Sequence, residues 1–171
     1  GRVGESIATL ERGRRLAEAQ GEVNLEAIYL SDIALAQLMA HNWEAAAEGA
    51  QRSITLFAQL EQPLSSTVAY ATLAAAQLAL GRRQAAETSV RQAIAILDEC
   101  GGEGPDFPHR DYWLCFHTLA ALGHTADAQH AAAQAANLLC LRADRISNEA
   151  MRTTYLTKVA VHAEITAAVS A

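Results

Sequence analysis

Apolar residues in this chain recur at spacings of three and four, and the stripes they form come in consecutive pairs. Between residues 67 and 100, Tyr70, Leu73, Ala74, Gln77 and Leu78 share one face, and Ala86, Val90, Ala93, Ile94 and Leu97 share another. Such spacing lays each set along one side of an α-helix. Gly81 between the two stripes predicts a tight turn. The stretch reads as two antiparallel helices whose backbones approach closely through Ala74 and Ala86.

The same pattern runs to either side. Residues 3–20 predict a lone amphipathic helix with Ile7, Leu10 and Leu16 on its apolar side, ended by Gly21. Residues 25–40 carry Ile28, Leu30, Ile33, Ala34 and Leu38. After a turn at His41 and Asn42, residues 43–60 carry Ala46, Ala50, Ile54, Leu56 and Phe57. The linker 61–66 contains Pro63, with Ser65 or Ser66 expected to cap the next helix. Beyond the central hairpin, residues 101–108 read GGEGPDFP, the longest break in the chain. A third hairpin follows, with helices over 110–122 and 125–145 turning at Gly123 and His124. Ser147 or Asn148 is expected to cap a short helix running to about Thr157, and a last helix over 161–169 closes the chain. The three prolines fall between hairpins, as they should if a proline inside a helix costs about 3 kcal/mol.

Internal repetition sharpens the picture. Leu30, Tyr70 and Tyr112 occupy one place in successive hairpins, and the turn residues His41, Gly81 and Gly123 keep the same phase. So do Ala46, Ala86 and Ala128, and again Ser53, Ala93 and Ala135. Each column keeps its chemistry: large, turn-forming, small, small. The tyrosine and turn columns do not depend on the abundance of alanine.

This pattern resembles the tetratricopeptide repeat, which pairs a large and a small residue on its first helix, turns at a glycine, and sets alanines on its second. The run from His41 to Ala46 is similar to the family's turn motif, with Trp43 where an aromatic is usual. Leu80-Gly81 and Leu122-Gly123 match the other turns. The repeat is longer than the family's usual 34 residues, and Phe116 stands where a small residue is expected. The resemblance covers residues 1–146: a half repeat at 1–21, then repeats at 22–62, 63–104 and 105–146. It implies an all-α fold of antiparallel hairpins stacked as a right-handed superhelix, with residues 147–171 as C-terminal capping helices. Arg152, Tyr155 and Leu156, followed by Val159, His162 and Ile165, resemble the closing segment of bacterial LuxR-type and STAND ATPase regulators. Covering the last hairpin is a physical need of any such stack, since its terminal repeat otherwise exposes an apolar face.

Composition fits. Of 171 residues 38 are alanine and only 5% aromatic, which favours thin, closely packed helices. The net charge of −6 is the reverse of a nucleic-acid footprint. The cluster of Arg2, Arg12, Arg14 and Arg15 reads as a solvated helix face. Three cysteines, Cys100, Cys115 and Cys140, give an odd count without a CxxC pair. They read as small buried hydrophobes in a reducing, cytoplasmic setting. No apolar run is long enough to span a bilayer. The chain starts Gly-Arg rather than with methionine, as a piece of a longer protein would.

Chemistry is sparse. There is no phosphate-binding loop and no HExxH pair. Cys115 and His117, two apart on one helix, face different directions from each other, and His124 and His130 follow at no ligand spacing. Carboxylates such as Asp98, Glu99, Asp32 and Glu61 read as solvent-facing charges. No catalytic, cofactor or metal residue is assigned, and an enzyme is the least supported class.

In the family the first helices line the inner groove. The resemblance therefore implies a partner-binding face made of Ser31, Leu35 and Leu38, then Ala71, Ala75 and Leu78, then Arg110, Trp113 and His117. The lysine and asparagine set of the family's carboxylate-clamp members is missing from the first two repeats. The expected function is a protein–protein interaction module within a larger bacterial regulator, holding a protein or peptide in the concave groove. The alternative is a sensor that encloses a metabolite near Trp113. The apolar face of helix 3–20, deprived of a partner, is expected either to pair with a second copy or to pack back on the first full repeat.

Overall fold

The computed structural model describes residues 2–169, with the side chains of residues 2 and 169 excepted. The chain folds as helices α1 (Arg2–Gln20), α2 (Val23–Met39), α3 (Trp43–Gln59), α4 (Thr67–Ala79), α5 (Arg83–Glu99), α6 (Pro108–Leu122), α7 (Thr125–Asp144), α8 (Glu149–Lys158) and α9 (Ala160–Val169). A 3-10 turn, Pro63–Ser66, precedes α4. Among the described residues there is no strand.

The helix ends follow one device. His41, Gly81 and Gly123 take left-handed backbone angles, with φ of +61°, +75° and +92°. In each case the next residue's N–H reaches back to the sixth residue: Asn42 to the Gln37 carbonyl, Arg82 to Gln77, His124 to Leu119. The left-handed residue itself donates to Leu38, Leu78 or Ala120. This pair of bonds satisfies carbonyls that a helix end leaves open. The second helices end identically at Gly21, Glu61 and Gly101, forty residues apart, with φ of +70°, +55° and +60°. The turn column seen in the sequence thus has a twin after α1, α3 and α5, whereas α7 ends at Arg145 in right-handed conformation, with φ of −75°. Glycine fills four of the six places because it adopts positive φ without a Cβ clash. Ser66 does not act as a side-chain cap; its hydroxyl donates to the Pro63 carbonyl within the 3-10 turn. Asn148 does cap α8, accepting from the Met151 N–H.

Each hairpin packs internally, α2 on α3, α4 on α5 and α6 on α7. The first helices also pack on one another, α2 on α4 and α4 on α6, and each second helix meets the first helix of the next hairpin. The small columns lie at these contacts. Ala46, Ala86 and Ala128 are buried, as are Ser53, Ala93 and Ala135. Ser53 meets the cost of burying its hydroxyl by donating to the Ala27 carbonyl at 2.8 Å. Leu30 and Tyr112 are buried and Tyr70 is half-buried. Tyr112 donates to Asp98 at 2.7 Å. Arg83 reaches the Ala121 and Leu122 carbonyls, tying the second hairpin to the third.

The first and last helices are covered to different extents. α1 packs back on α2, with Ala17 buried against it, while Leu16 stays 63% exposed. Arg12 and Arg15 are exposed, but Arg14 is half-buried and held by Glu11 and Glu18, and the Arg2 side chain lies outside the described residues. At the other end α9 packs on α7 and α6 and buries Ile165 in the core cluster built around Tyr112, Trp113 and Leu139. Ser170 and Ala171, included in the expected closing segment, lie outside the described residues. The cysteines divide: Cys115 is buried and Cys100 partly so, but Cys140 is exposed, contrary to the expectation of three buried thiols. Its position beside Leu139 on α7 puts it on the solvent side of that helix.

Ala93→Leu should lower stability by about 1–3 kcal/mol through overpacking. Ala95→Leu, on the exposed side of the same helix, should be near neutral; urea unfolding of both variants checks the contrast. Glu61→Gly should raise stability by about 1 kcal/mol, because a non-glycine residue in the left-handed region is strained. A midpoint that falls in Glu61→Gly would contradict that account of the helix end.

Candidate functional site

The first helices converge on a cleft of about 210 Å3. α2 contributes Ile28, Ser31 and Asp32, the start of α4 contributes Thr67 and Val68, and the start of α6 contributes Arg110 and Asp111. The glycine-rich break supplies the lip, with Gly104, Pro105, Asp106 and Phe107. That lip lies close on Leu64: a Cβ added at Gly104, where φ is +103°, would sit 3.2 Å from its side chain. The segment GGEGPDFP is therefore more than a spacer, since its backbone closes one side of the cleft.

Asp111 forms the buried floor. Its carboxylate accepts from Thr67 Oγ1 at 3.2 Å and from Arg110 at 3.1 Å, which ties α4 to α6. Burial pushes its carboxyl up, and the Arg110 guanidinium and the Thr67 hydroxyl pull it back only in part. Arg110 lies with its guanidinium carbon 5.0 Å from the centre of the Phe107 ring, a cation–π contact. Asp32 differs from Asp111: it makes no hydrogen bond and no ion pair with any described residue. Its carboxyl is also held above the ordinary range by burial, which the Arg110 charge opposes and the neighbouring Asp106 reinforces to a lesser degree. Asp32 is thus not the freely solvated charge expected of it.

The nine residues assigned to the inner face scatter. Ser31 and Arg110 line the cleft. Leu35, Leu38, Ala75 and Leu78 are half-buried, with Leu38 packed against the cluster of α2, α3 and α4. Ala71 is 0% exposed and belongs to the core, so it presents no surface. Trp113 is only 6% exposed. Its indole N–H donates to Glu164 of α9 at 3.1 Å, and its ring stacks on Phe116 at 4.6 Å. His117 is exposed and sits edge-on to Trp113 at 5.0 Å. Phe116, which breaks the small-residue pattern, serves as the platform for this aromatic group.

The sequence reading missed Asp32, Asp106 and Asp111 as members of one cleft. They are separated by up to two repeats, and no local motif joins them. The histidines grouped in the sequence part company as well, since His124 pairs with Glu87 at 3.1 Å and His130 with Asp98 at 3.0 Å.

A second polar feature joins α6 to the closing helices. His109 and His162 are buried, and their Nε2 atoms are 2.9 Å apart. His162 Nδ1 lies 2.9 Å from the Tyr155 carbonyl and must donate to it. Neutral His162 then has a bare Nε2, so the proton between the rings belongs to His109. That leaves His109 Nδ1 bare, buried and without a partner. Burial, then His162 and the Arg142 and Arg110 charges, hold the His109 pKa down to about 4.

No protein-family model matches the chain, and no curated protein matches it.

The depressed His109 pKa sets the sign of a pH effect. The unfolded imidazole titrates near 6.5 and the folded one near 4, so the unfolded chain takes up the proton first. The contribution of His109 is complete above pH 6.5 and is lost as pH falls toward 4. Asp32 and Asp111, raised in the fold, act in the opposite sense. Thermal midpoints of the wild type and His109→Leu should therefore be compared across this window. The wild type should lose ground relative to the variant as pH falls; parallel profiles would refute the assignment.

Proposed function

We propose that the chain is a protein–protein interaction module, the receiving part of a larger bacterial signalling or transcription regulator. Its hairpins are read as a right-handed tetratricopeptide-like stack that presents α2, α4 and α6 to a bound protein segment. The observation that carries this reading is the layer of first helices. They pack on one another in succession, α2 on α4 and α4 on α6, and share a cleft. Stacked hairpins of this kind offer extended surfaces suited to polypeptide partners.

A metabolite sensor would need an enclosed space near Trp113, of roughly 300 Å3 or more for a drug-sized ligand. That position is instead filled by the chain itself, through Glu164 and Phe116. The 210 Å3 cleft nearer α2 is the size of a side chain's berth rather than a cofactor's. Both points favour a polypeptide occupant over an enclosed small molecule.

Peptides selected for binding to the immobilised chain test the reading. Ala75→Arg and His117→Glu, on the first-helix layer, should weaken the selected peptides by roughly tenfold, or about 1.4 kcal/mol each. Thr88→Arg, on the exposed side of α5, should leave them unchanged. Peptides sensitive only to Thr88→Arg, or a selection that yields none, would overturn it.

A further inference from the structure

The cleft on the first-helix layer is unbalanced in charge. Asp32, Asp106 and Asp111 line it against a single cation, Arg110. Arg110 is already engaged by Asp111 and stacked on Phe107. Asp111 in turn is used up by Thr67 and Arg110 in the floor. What is left facing the opening is Asp32, partly withdrawn from water and bonded to nothing, with Asp106 beside it on the lip. A half-buried carboxylate with no bonded partner, offset only by an Arg110 that Asp111 already holds, gains from a cation supplied from outside.

The walls narrow the kind of cation. Ile28, Phe57, Leu64, Val68 and Phe107 give the cleft apolar walls. A metal ion or a bare ammonium gains nothing from such walls. A lysine or arginine side chain does, because its methylene stem packs on apolar surface while its head reaches the carboxylates. An anion is disfavoured despite the start of α6 and Arg110, since Asp111 already occupies that positive end. The net charge of −6 would also steer a basic segment toward this protein.

We infer that the cleft receives the side chain of a lysine or arginine from a bound partner segment, so that the partner is a basic polypeptide. This rests on the interaction-module reading and adds the chemistry of the partner. Asp32 supplies the charge that meets the incoming head, Asp106 flanks it, and Ser65 at the rim offers a hydroxyl with no bond of its own. Asp111 and Arg110 hold the floor in shape and are not themselves the contact.

Two measurements test this on the whole chain. In the first, the 15N-labelled protein is titrated with Nα-acetyl-lysine methylamide and with its norleucine counterpart, which keeps the stem and lacks the charge. The lysine compound should shift the amides of Ser31, Asp32, Ser65 and Asp106, and norleucine should not. Asp32→Asn with Asp106→Asn should reduce the lysine shifts roughly tenfold in affinity. Neither carboxylate bonds another described residue, so these isosteric changes do not endanger the fold. In the second, each lysine or arginine of the selected peptides is replaced in turn by norleucine. One replacement should weaken binding roughly tenfold on the wild type and have no effect on the Asp32→Asn, Asp106→Asn chain.

If selected peptides bind the first-helix layer but no such replacement matters, the inference fails and the interaction module stands. If the lysine compound shifts the cleft while no peptide binds that layer, the module reading fails and the partner assignment falls with it. Equal shifts from lysine and norleucine, or shifts centred elsewhere, would overturn the cation site outright.

Discussion

The fold depends on how closely paired helices can approach. In each hairpin the contact runs through columns of alanine and serine, Ala46, Ala86 and Ala128 with Ser53, Ala93 and Ala135, all buried. A side chain no larger than a methyl group lets neighbouring backbones pack tightly, and tightly packed interiors tolerate little change in volume. The left-handed residue at each turn then sets how the chain enters the next helix. That residue and its back-bonds recur at the turn inside each hairpin and after α1, α3 and α5, so these helix ends share one local geometry.

That regularity creates the cleft. Repetition brings the starts of α4 and α6 alongside the middle of α2, and the glycine-rich break folds over the gap they leave. Helix starts are also where carboxylates are tolerated, since the first-turn N–H groups and the helix dipole favour negative charge. Asp111 in the first turn of α6 uses this, and its bond to Thr67 links two hairpins. The same arrangement leaves Asp32 with no ion pair or hydrogen bond of its own, the nearby Arg110 being bonded to Asp111.

The terminal helices bury their apolar faces to different degrees. α9 buries Ile165, engages Trp113 through Glu164, and is pinned by the buried His109–His162 pair. α1 covers α2 less completely, and Leu16, Val23, Leu25 and Ile28 keep large exposed surface. Trp113, expected in the groove, is instead buried and bonded to the closing helix, while His117 stays exposed beside it.

Helix positions, turns and the repeated columns could all be read from residue order. They are set by interactions between neighbours in sequence: spacings of three and four, glycine at a left-handed turn, proline only at helix boundaries. Gly81 and Gly123 announce their turns for this reason, and His41 and Glu61 are harder to recognise because neither is glycine. What residue order left open was which charges meet. Asp32 and Asp111 look alike in sequence, yet one is a bonded floor and the other an unpaired wall. His109 and His162 are 53 residues apart and show no common motif. Burial and hydrogen bonding arise between elements distant along the chain, and they depend on side-chain placement that helical periodicity does not encode.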